Sequence, residues 1–369
     1  MAAALDQIAG WQVAKKKIPA WAATEGIIYP AHLSLEQCSS EVTARYKANL
    51  VRRLLASLGN VKNTCFVDFT GGFGVDFCFI APCFDEAVYV ECQPLLFHIA
   101  TSNFRTLGLK VKAVNDNAAD VLHRQDHATL MFLDPARRNV HGGRTFGIAD
   151  CAPNVLGMMD ELMAKADYLL LKLSPMLDWR KAVSDVGESL VEQVHIVSVG
   201  GECKELLLLL TAQRRKTTLL FCVNDNTTEC FDLTDSVPTT LAMTIQPQPG
   251  SYLYEPNASL MKAGLFERLS ARYGLSQVAA NSHLFVSNSL VQPFPGRTFR
   301  ITEVSTLNKH EVKAKILPLR QANIAVRNFP LTVNELRRRL KLGEGGGNYI
   351  FATTLANRDK VLIVGLRLS

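Results

Sequence analysis

An apolar run, Leu130-Met131-Phe132-Leu133, stops at Asp134-Pro135, and two arginines, Arg137 and Arg138, follow almost at once. A carboxylate at the end of a buried strand can accept an N–H or take a proton from a nucleophile. A guanidinium beside it can stack on a base, bind a phosphate or stabilise charge on a carbonyl oxygen. Asp134 therefore reads as an acceptor or base, Pro135 as the rigid turn that sets it, and Arg137 as a substrate clamp. Arg138 reads equally as a phosphate contact or as a solvated charge.

A second group stands upstream. The β-rich stretch TCFVDF runs into Asp68-Phe69-Thr70-Gly71-Gly72-Phe73-Gly74. Glycines after a first parallel strand let the backbone approach a ligand closely. The dinucleotide fingerprint G-x-G-x-x-G would need glycine at 77, where Phe77 stands, so a pyrophosphate is disfavoured. A carboxylate before the glycines suits S-adenosylmethionine instead, which carries an amino-acid end and a sulfonium but no phosphate. Glu91 ends the next strand, 17 residues after Gly74, where an acid can accept both ribose hydroxyls. Cys92 follows in the same wall, with a side chain that reads as packing. Asp116-Asn117-Ala118 ends the third strand, where either Asp116 or Asn117 could hold an adenine amino group. The expected cofactor set is Asp68, Thr70, Gly71, Gly72, Phe73, Gly74, Glu91, Cys92, Asp116, Asn117 and Ala118. Asp134 closes the fourth strand, so these polar ends share one carboxyl edge and one crevice.

The elements that must position them alternate. Residues 1–60 read as helical, and QCSSEVTARYKANLVRRLLASLG has apolar helical spacing with a Ser-Ser-Glu start. From 61 to 245 come strands TCFVDF, AVYVE, KVKAVN, ATLMFLD, DYLLLKLS, EQVHIVSVGG and TTLLFCVND, with helices QPLLFHIATSNFRTLGL and NVLGMMDELMAKA between them. CKELLLLL has no period and could be either. Alternation predicts an α/β, doubly wound, mostly parallel sheet. PQPGSYLYEPN reads as a boundary. Residues 250–297 hold one expected helix, SLMKAGLFERLSARYG. Residues 298–369 read as a small α+β module, with helix TVNELRRRLKL before a glycine-rich turn.

Composition narrows the class. Of 369 residues, 48% are hydrophobic and 20% charged, which suits a soluble chain of two or three domains, and no apolar run is long enough to span a membrane. An apolar start before the basic cluster Lys15–Lys17 is the wrong order for a secretory leader. Nine cysteines without C-x-x-C spacing predict reduced thiols and a cytoplasmic location. No His/Cys/Asp cluster has metal spacing, and His98 and His123 read as surface histidines. A net charge of +6 permits nucleic acid without demanding it. Nothing in the sequence sets an oligomeric state.

The ordered set DFTGGFG, VYVE, NDNA and FLDPAR, over residues 61–225, resembles the class I S-adenosylmethionine-dependent methyltransferases. The stretches QCSSEVTARYKA, LDPARR, LKLSPMLDW, GECKELL and RNFPLTVNELRRRLKLGEGGGNYIFATT resemble, more narrowly, a bacterial family with this core, a small ferredoxin-like domain and a THUMP-like domain. The resemblance implies a Rossmann-like core, S-adenosylmethionine as cofactor and RNA as the expected partner, because THUMP domains are associated with RNA-modifying enzymes. A protein or small-molecule substrate, or cofactor binding without turnover, are the alternatives. Amino-methylating relatives carry Asn/Asp-Pro-Pro-aromatic where this chain has Asp134-Pro135-Ala136-Arg137. Asp-Pro-Pro-Arg also resembles the uracil-5 methyltransferases, but these need a cysteine nucleophile, and the neighbours of Cys203 do not match theirs. Lys172 and Ser174, after the fifth strand, are expected to face the crevice and bind substrate. Glu202 and Lys204 either join them or pair internally. Arg337, with Arg327, Arg338, Arg339 and Lys341, forms either a phosphate-contacting face or a solvated helix side.

Overall fold

The computed structural model describes residues 2–30, 32–59, 61–137, 147–213, 217–236 and 245–368. Arg138 lies outside the described residues, as does the side chain of Arg137. The chain divides into two compact units, Met1–Thr234 and Asp235–Ser369.

The first unit contains helices α1 (Ala2–Lys17), α2 (Glu41–Ser57), α3 (Val75–Ile80), α4 (Pro94–Thr106), α5 (Ala118–Arg124), α6 (Val155–Lys165) and α7 (Trp179–Val186). Its strands are β1 (Cys65–Asp68), β2 (Glu86–Val90), β3 (Lys112–Val114), β4 (Ala128–Leu133), β5 (Ala166–Leu173), β6 (Val191–Val199), β7 (Glu202–Leu210), β8 (Leu219–Asn224) and β9 (Thr227–Asp232). They form one sheet in the order β9-β8-β6-β7-β5-β4-β1-β2-β3. β1, β2, β3, β4 and β5 pair in parallel, as do β6 and β8; β7 is antiparallel to both its neighbours. The carboxyl ends of β1–β6 therefore share one edge. The undecided CKELLLLL is β7. Every residue from 205 to 210 is buried, so both of its faces are covered there and its apolar run has no alternation to read.

α2 begins where its sequence suggests: the Ser40 hydroxyl accepts the Thr43 N–H. Its inner face, Ala48, Val51 and Leu54, joins Phe66, Phe77, Tyr89, Phe104 and Phe132 in the main core. The segment before α2 packs Ala14, Ile18, Trp21 and Tyr29 against Phe73, Val75 and Leu96, so it braces the chain just after the first strand. The stretch FCFIAPCF begins in α3, which is entered from a left-handed Gly74, and continues as a 3-10 turn over Ala81–Cys83.

The second unit has strands β10 (Tyr252–Pro256), β11 (Ser276–Gln277), β12 (Phe285–Ser287), β13 (Gly296–Ser305), β14 (Asn323–Arg327), β15 (Asn348–Thr354) and β16 (Lys360–Arg367). They form one sheet, β11-β12-β10-β13-β16-β15-β14. The helix expected over SLMKAGLFERLSARYG is two, α8 (Ala258–Ala263) and α9 (Phe266–Tyr273). Gly264 adopts φ +65° and caps the first, a conformation that ends an α-helix. Helix α10 (Val333–Leu340) opens with a Thr332/Glu335 capping box. The nine cysteines are free thiols. Among the described residues no helix is long and apolar enough to cross a membrane, and no cluster of side chains could hold a metal.

Candidate active site

The glycine loop is shaped by what packs behind it. A Cβ on Gly71 would lie 2.0 Å from the Tyr89 ring, and one on Gly74 would lie 2.5 Å from Phe104. Gly72, at φ +54°, is different: its Cβ would meet only the Thr70 carbonyl, at 3.8 Å. The loop is held from below by hydrogen bonds. Gly71 N–H donates to the Val90 carbonyl (2.8 Å), Gly72 N–H to Glu91 (2.8 Å), and the Tyr89 hydroxyl to the Gly72 carbonyl. Phe73 points its ring into the core, 4.8 Å from Trp21 and 3% exposed, so only its backbone is left to meet a ligand.

Asp68 ends β1 with 1% exposure, and its Oδ1 accepts the Thr70 N–H at 2.9 Å. Burial pushes its carboxyl well above the usual range; the Thr70 N–H opposes this, and Asp76, Asp134 and Glu91 add to it. Glu91, at the end of β2, accepts N–H groups from Gly72 and Gln93. The exposed Cys92 thiol donates to the same carboxylate, and burial together with Glu91 raises its pKa. Asn115 ties the next strand end in, donating to the Glu91 carbonyl at 2.7 Å. Asp116 and Asn117 are occupied differently from the adenine contact their position suggests. Asp116 pairs with Arg124, which holds its carboxyl below the usual range, and Asn117 caps α5 by accepting the Asp120 N–H. Ala118 is the first, buried residue of that helix.

The Thr70 hydroxyl accepts the Asp134 N–H at 2.6 Å, which locks the glycine loop to the end of β4. The Asp134 side chain keeps 36% of its surface open and pairs with Lys172 Nζ. Desolvation raises the Asp134 carboxyl, against the pull of Lys172. Pro135 is buried. Ala136–Arg137 then pairs with Cys151–Ala152 in a short antiparallel ribbon. Ser174 starts the turn after β5, its hydroxyl accepting the Met176 N–H.

Behind Asp134 lies a buried ionic chain that strand-end reasoning did not find. Lys172 also lies 3.9 Å from Asp76 on α3. Lys47, on α2 and 0% exposed, pairs with Asp76 (3.1 Å) and with Glu205 on β7, which is 4% exposed. The Ser39 hydroxyl bridges Asp76 (2.7 Å) and Glu205 (3.1 Å). Burial disfavours the Lys172 charge, but Asp134, Asp76 and Glu205 outweigh it and hold the ammonium well above its usual range. Glu205 is held low by Lys47 and Lys172 despite burial. The signal was present: a lysine inside LLLKLS and a glutamate opening ELLLLL are charges within buried strands.

Other expected residues go elsewhere. Glu202 and Lys204 form their own exposed pair at 2.6 Å, while Glu205 is the glutamate in the network. Cys203 lies 3.1 Å from the Ser198 hydroxyl. Arg337 donates to the Ala322 and Gly343 carbonyls, at 3.2 and 2.7 Å, and so fastens α10 to its own unit. Arg338, Arg339 and Lys341 are exposed.

A buried carboxylate at Asp68, an open Gly72 and a second carboxylate at Glu91 fit an amino-acid ligand with a cationic centre and a ribose. Comparison with known proteins agrees. A ferredoxin-like domain family matches residues 252–295 and a THUMP domain-like family matches 296–367. An uncharacterised S-adenosylmethionine-dependent methyltransferase of Mycobacterium tuberculosis is 25% identical over 317 residues, 84% of this chain and 80% of that protein. The crystal structure of a candidate methyltransferase from Porphyromonas gingivalis W83 is 31% identical, covers 100% of this chain and 90% of its own, and superposes with a TM-score of 0.85. The chain therefore belongs to the family of class I S-adenosylmethionine-dependent methyltransferases that end in ferredoxin-like and THUMP-like domains, with S-adenosylmethionine as cofactor.

Proposed function

We propose that this methyltransferase acts on RNA, at a base nitrogen. The observation that carries the reading is the THUMP domain-like match over residues 296–367, joined in one chain to the methyltransferase core. Exposed Arg338, Arg339 and Lys341 in that unit suit phosphate contacts; Arg337 does not, because two backbone carbonyls occupy it.

In this reading Asp68 attracts the amino-acid end of the cofactor, the Gly71–Gly74 backbone lies under it, and Glu91 accepts the ribose hydroxyls. Asn117 and Ala118 contribute backbone at the adenine end, since the Asp116 and Asn117 side chains are engaged. S-adenosylmethionine supplies an electrophilic methyl group. Asp134, half-open to the crevice and held by Lys172 and the Thr70 hydroxyl, accepts the N–H of the nucleophile and orients its lone pair. Pro135 makes that turn rigid, Arg137 and Arg138 clamp the substrate, and Ser174 lines the same edge.

Nucleoside mass spectrometry of RNA from a deletion strain and its parent tests the substrate class. A methylated nucleoside missing from the deletion strain and restored by the wild-type gene supports RNA. Unchanged nucleosides, with label from S-adenosylmethionine appearing in protein or small molecules, would replace RNA with those substrates.

A further inference from the structure

We propose that Lys172 is a positioning residue for Asp134, not a contact for the substrate, and that Lys47, Asp76 and Glu205 form the buried frame that fixes it. The inference rests on the reading of Asp134 as the acceptor of the nucleophile's N–H. That role is geometric: one carboxylate oxygen has to meet the N–H while the nucleophile's lone pair points at the methyl carbon. A carboxylate at an open strand end can turn among its rotamers unless other groups hold it.

Asp134 is held twice. Its N–H donates to the Thr70 hydroxyl at 2.6 Å, and its Oδ2 accepts from Lys172 Nζ. Both restraints lead back to the glycine loop. Thr70 stands at its start, and Asp76, two residues past Gly74, lies 3.9 Å from Lys172. The Lys172 side chain is 10% exposed, and its ammonium meets carboxylates on both contacts. Those carboxylates hold it charged, so it is a fixed cation rather than a base. The chain of partners continues inward. Lys47 of α2 lies 3.1 Å from Asp76 Oδ1 and pairs with Glu205 of β7. The Ser39 hydroxyl, 3.3 Å from Lys47 Nζ, lies 2.7 Å from Asp76 and 3.1 Å from Glu205 and closes the ring. Four elements, α2, α3, β5 and β7, thus converge on the end of β4. Stability alone is a poor reason for such a chain, because packed apolar side chains in place of buried ion pairs are often neutral or stabilising. What distinguishes it is where it ends. Lys47, Asp76, Glu205 and Lys172 have side chains exposed by 10% or less, and the chain terminates on Asp134, exposed by 36%.

A double-mutant cycle on methyl transfer tests this in the full chain, with cofactor affinity read by calorimetry and the folded fraction by urea unfolding. The assay uses labelled S-adenosylmethionine and RNA from a strain lacking the gene. Lys172→Met should lower kcat by about 10²-fold, the cost of a small misplacement, with KM for RNA and cofactor affinity unchanged. In an Asp134→Asn background the same change should cost less than about threefold, because the group it acts through is gone. Lys172→Arg, which keeps the charge, should recover part of the loss. Lys47→Met combined with Glu205→Gln removes the rear pair without altering net charge and should lower kcat by about tenfold. Equal losses in both backgrounds, or a raised KM with kcat unchanged, would make Lys172 an independent contact and overturn the proposal. If Lys172→Met does not fold, the rear double variant decides through the same cycle: a loss that vanishes in Asp134→Asn supports the proposal, and full activity overturns it. Label taken only by protein or small molecules would replace the RNA reading, and the cycle would then decide on that fraction. No label in any fraction with the wild-type chain would overturn the reading of Asp134 and the proposal with it.

Discussion

Each unit buries carboxylates among cations, and the two do so in opposite ways. In the second unit one carboxylate, Glu255, 3% exposed, takes Arg297 through Nε at 2.7 Å and a second N–H, and Arg327 at 2.7 Å on its other oxygen. Arg297 also lies over the Phe299 and Tyr349 rings. That is a closed clamp: forked donors fill both carboxylate oxygens, and β10, β13 and β14 are held by it. In the first unit, among the described residues, two lysines, single points of charge, are shared by Asp76, Asp134 and Glu205, and Asp134 stays partly open. The difference teaches what separates a staple from a site. A staple is complete within the chain; a site leaves charge for something else to complete.

The sharpest break of that contrast is Asp134→Asn. Methyl transfer should fall by about 10²- to 10⁴-fold, the range for loss of a positioned acceptor or base, while calorimetric cofactor binding persists. Equal loss of both would make Asp134 structural, like Glu255. Next is His195, buried on β6, stacked on Phe221 and within 2.7 Å of the Tyr46 hydroxyl. Burial, with Arg53 adding, holds its ring down at about 3. The unfolded chain protonates this histidine near 6.5 and the folded one does not, so its contribution is present above pH 6.5 and is lost as the pH falls toward 3. That loss is on the order of 4 kcal/mol over the window, and urea unfolding at stepped pH should show a shallower acid slope in His195→Leu.

A smaller effect is expected at the clamp itself. Glu255→Ala should destabilise the second unit by about 2–3 kcal/mol in urea unfolding, less than a fully buried pair because both arginines are partly solvated. Cofactor affinity should not change. Smallest is the pair of tests on α10. Arg337→Ala should cost about 1 kcal/mol of stability through two lost backbone contacts. Arg338→Ala with Arg339→Ala should leave stability alone and flatten the salt dependence of RNA binding, read by filter binding. The reverse pattern would make Arg337 the ligand contact and its neighbours structural.

The order of strand ends was legible in the sequence because each element announces itself locally: an apolar run, then a polar residue, then a turn. Asp68, Glu91 and Asp134 could be assigned to one edge by counting, since parallel strands put their carboxyl ends together. The fates of Asp116, Asn117, Phe73 and Arg337 could not be read that way. Residue type and position suit each of them to a ligand, but a helix cap, an ion pair with Arg124, the Trp21 ring and two carbonyls engage their side chains. A side chain's partners are a property of space, not of neighbours in the chain.

By itself the sequence determined the alternation of strands and helices, the glycine loop without a dinucleotide fingerprint, and the Asp-Pro that closes β4. These follow from local sterics and periodicity. Only the tertiary structure decided that Lys47 and Glu205, 158 positions apart, share one buried ion pair, and that Asp76 and Lys172 link it to Asp134. Burial and proximity, which create both the ion pairs and the pKa shifts, exist only once the sheet has closed over α2 and α3.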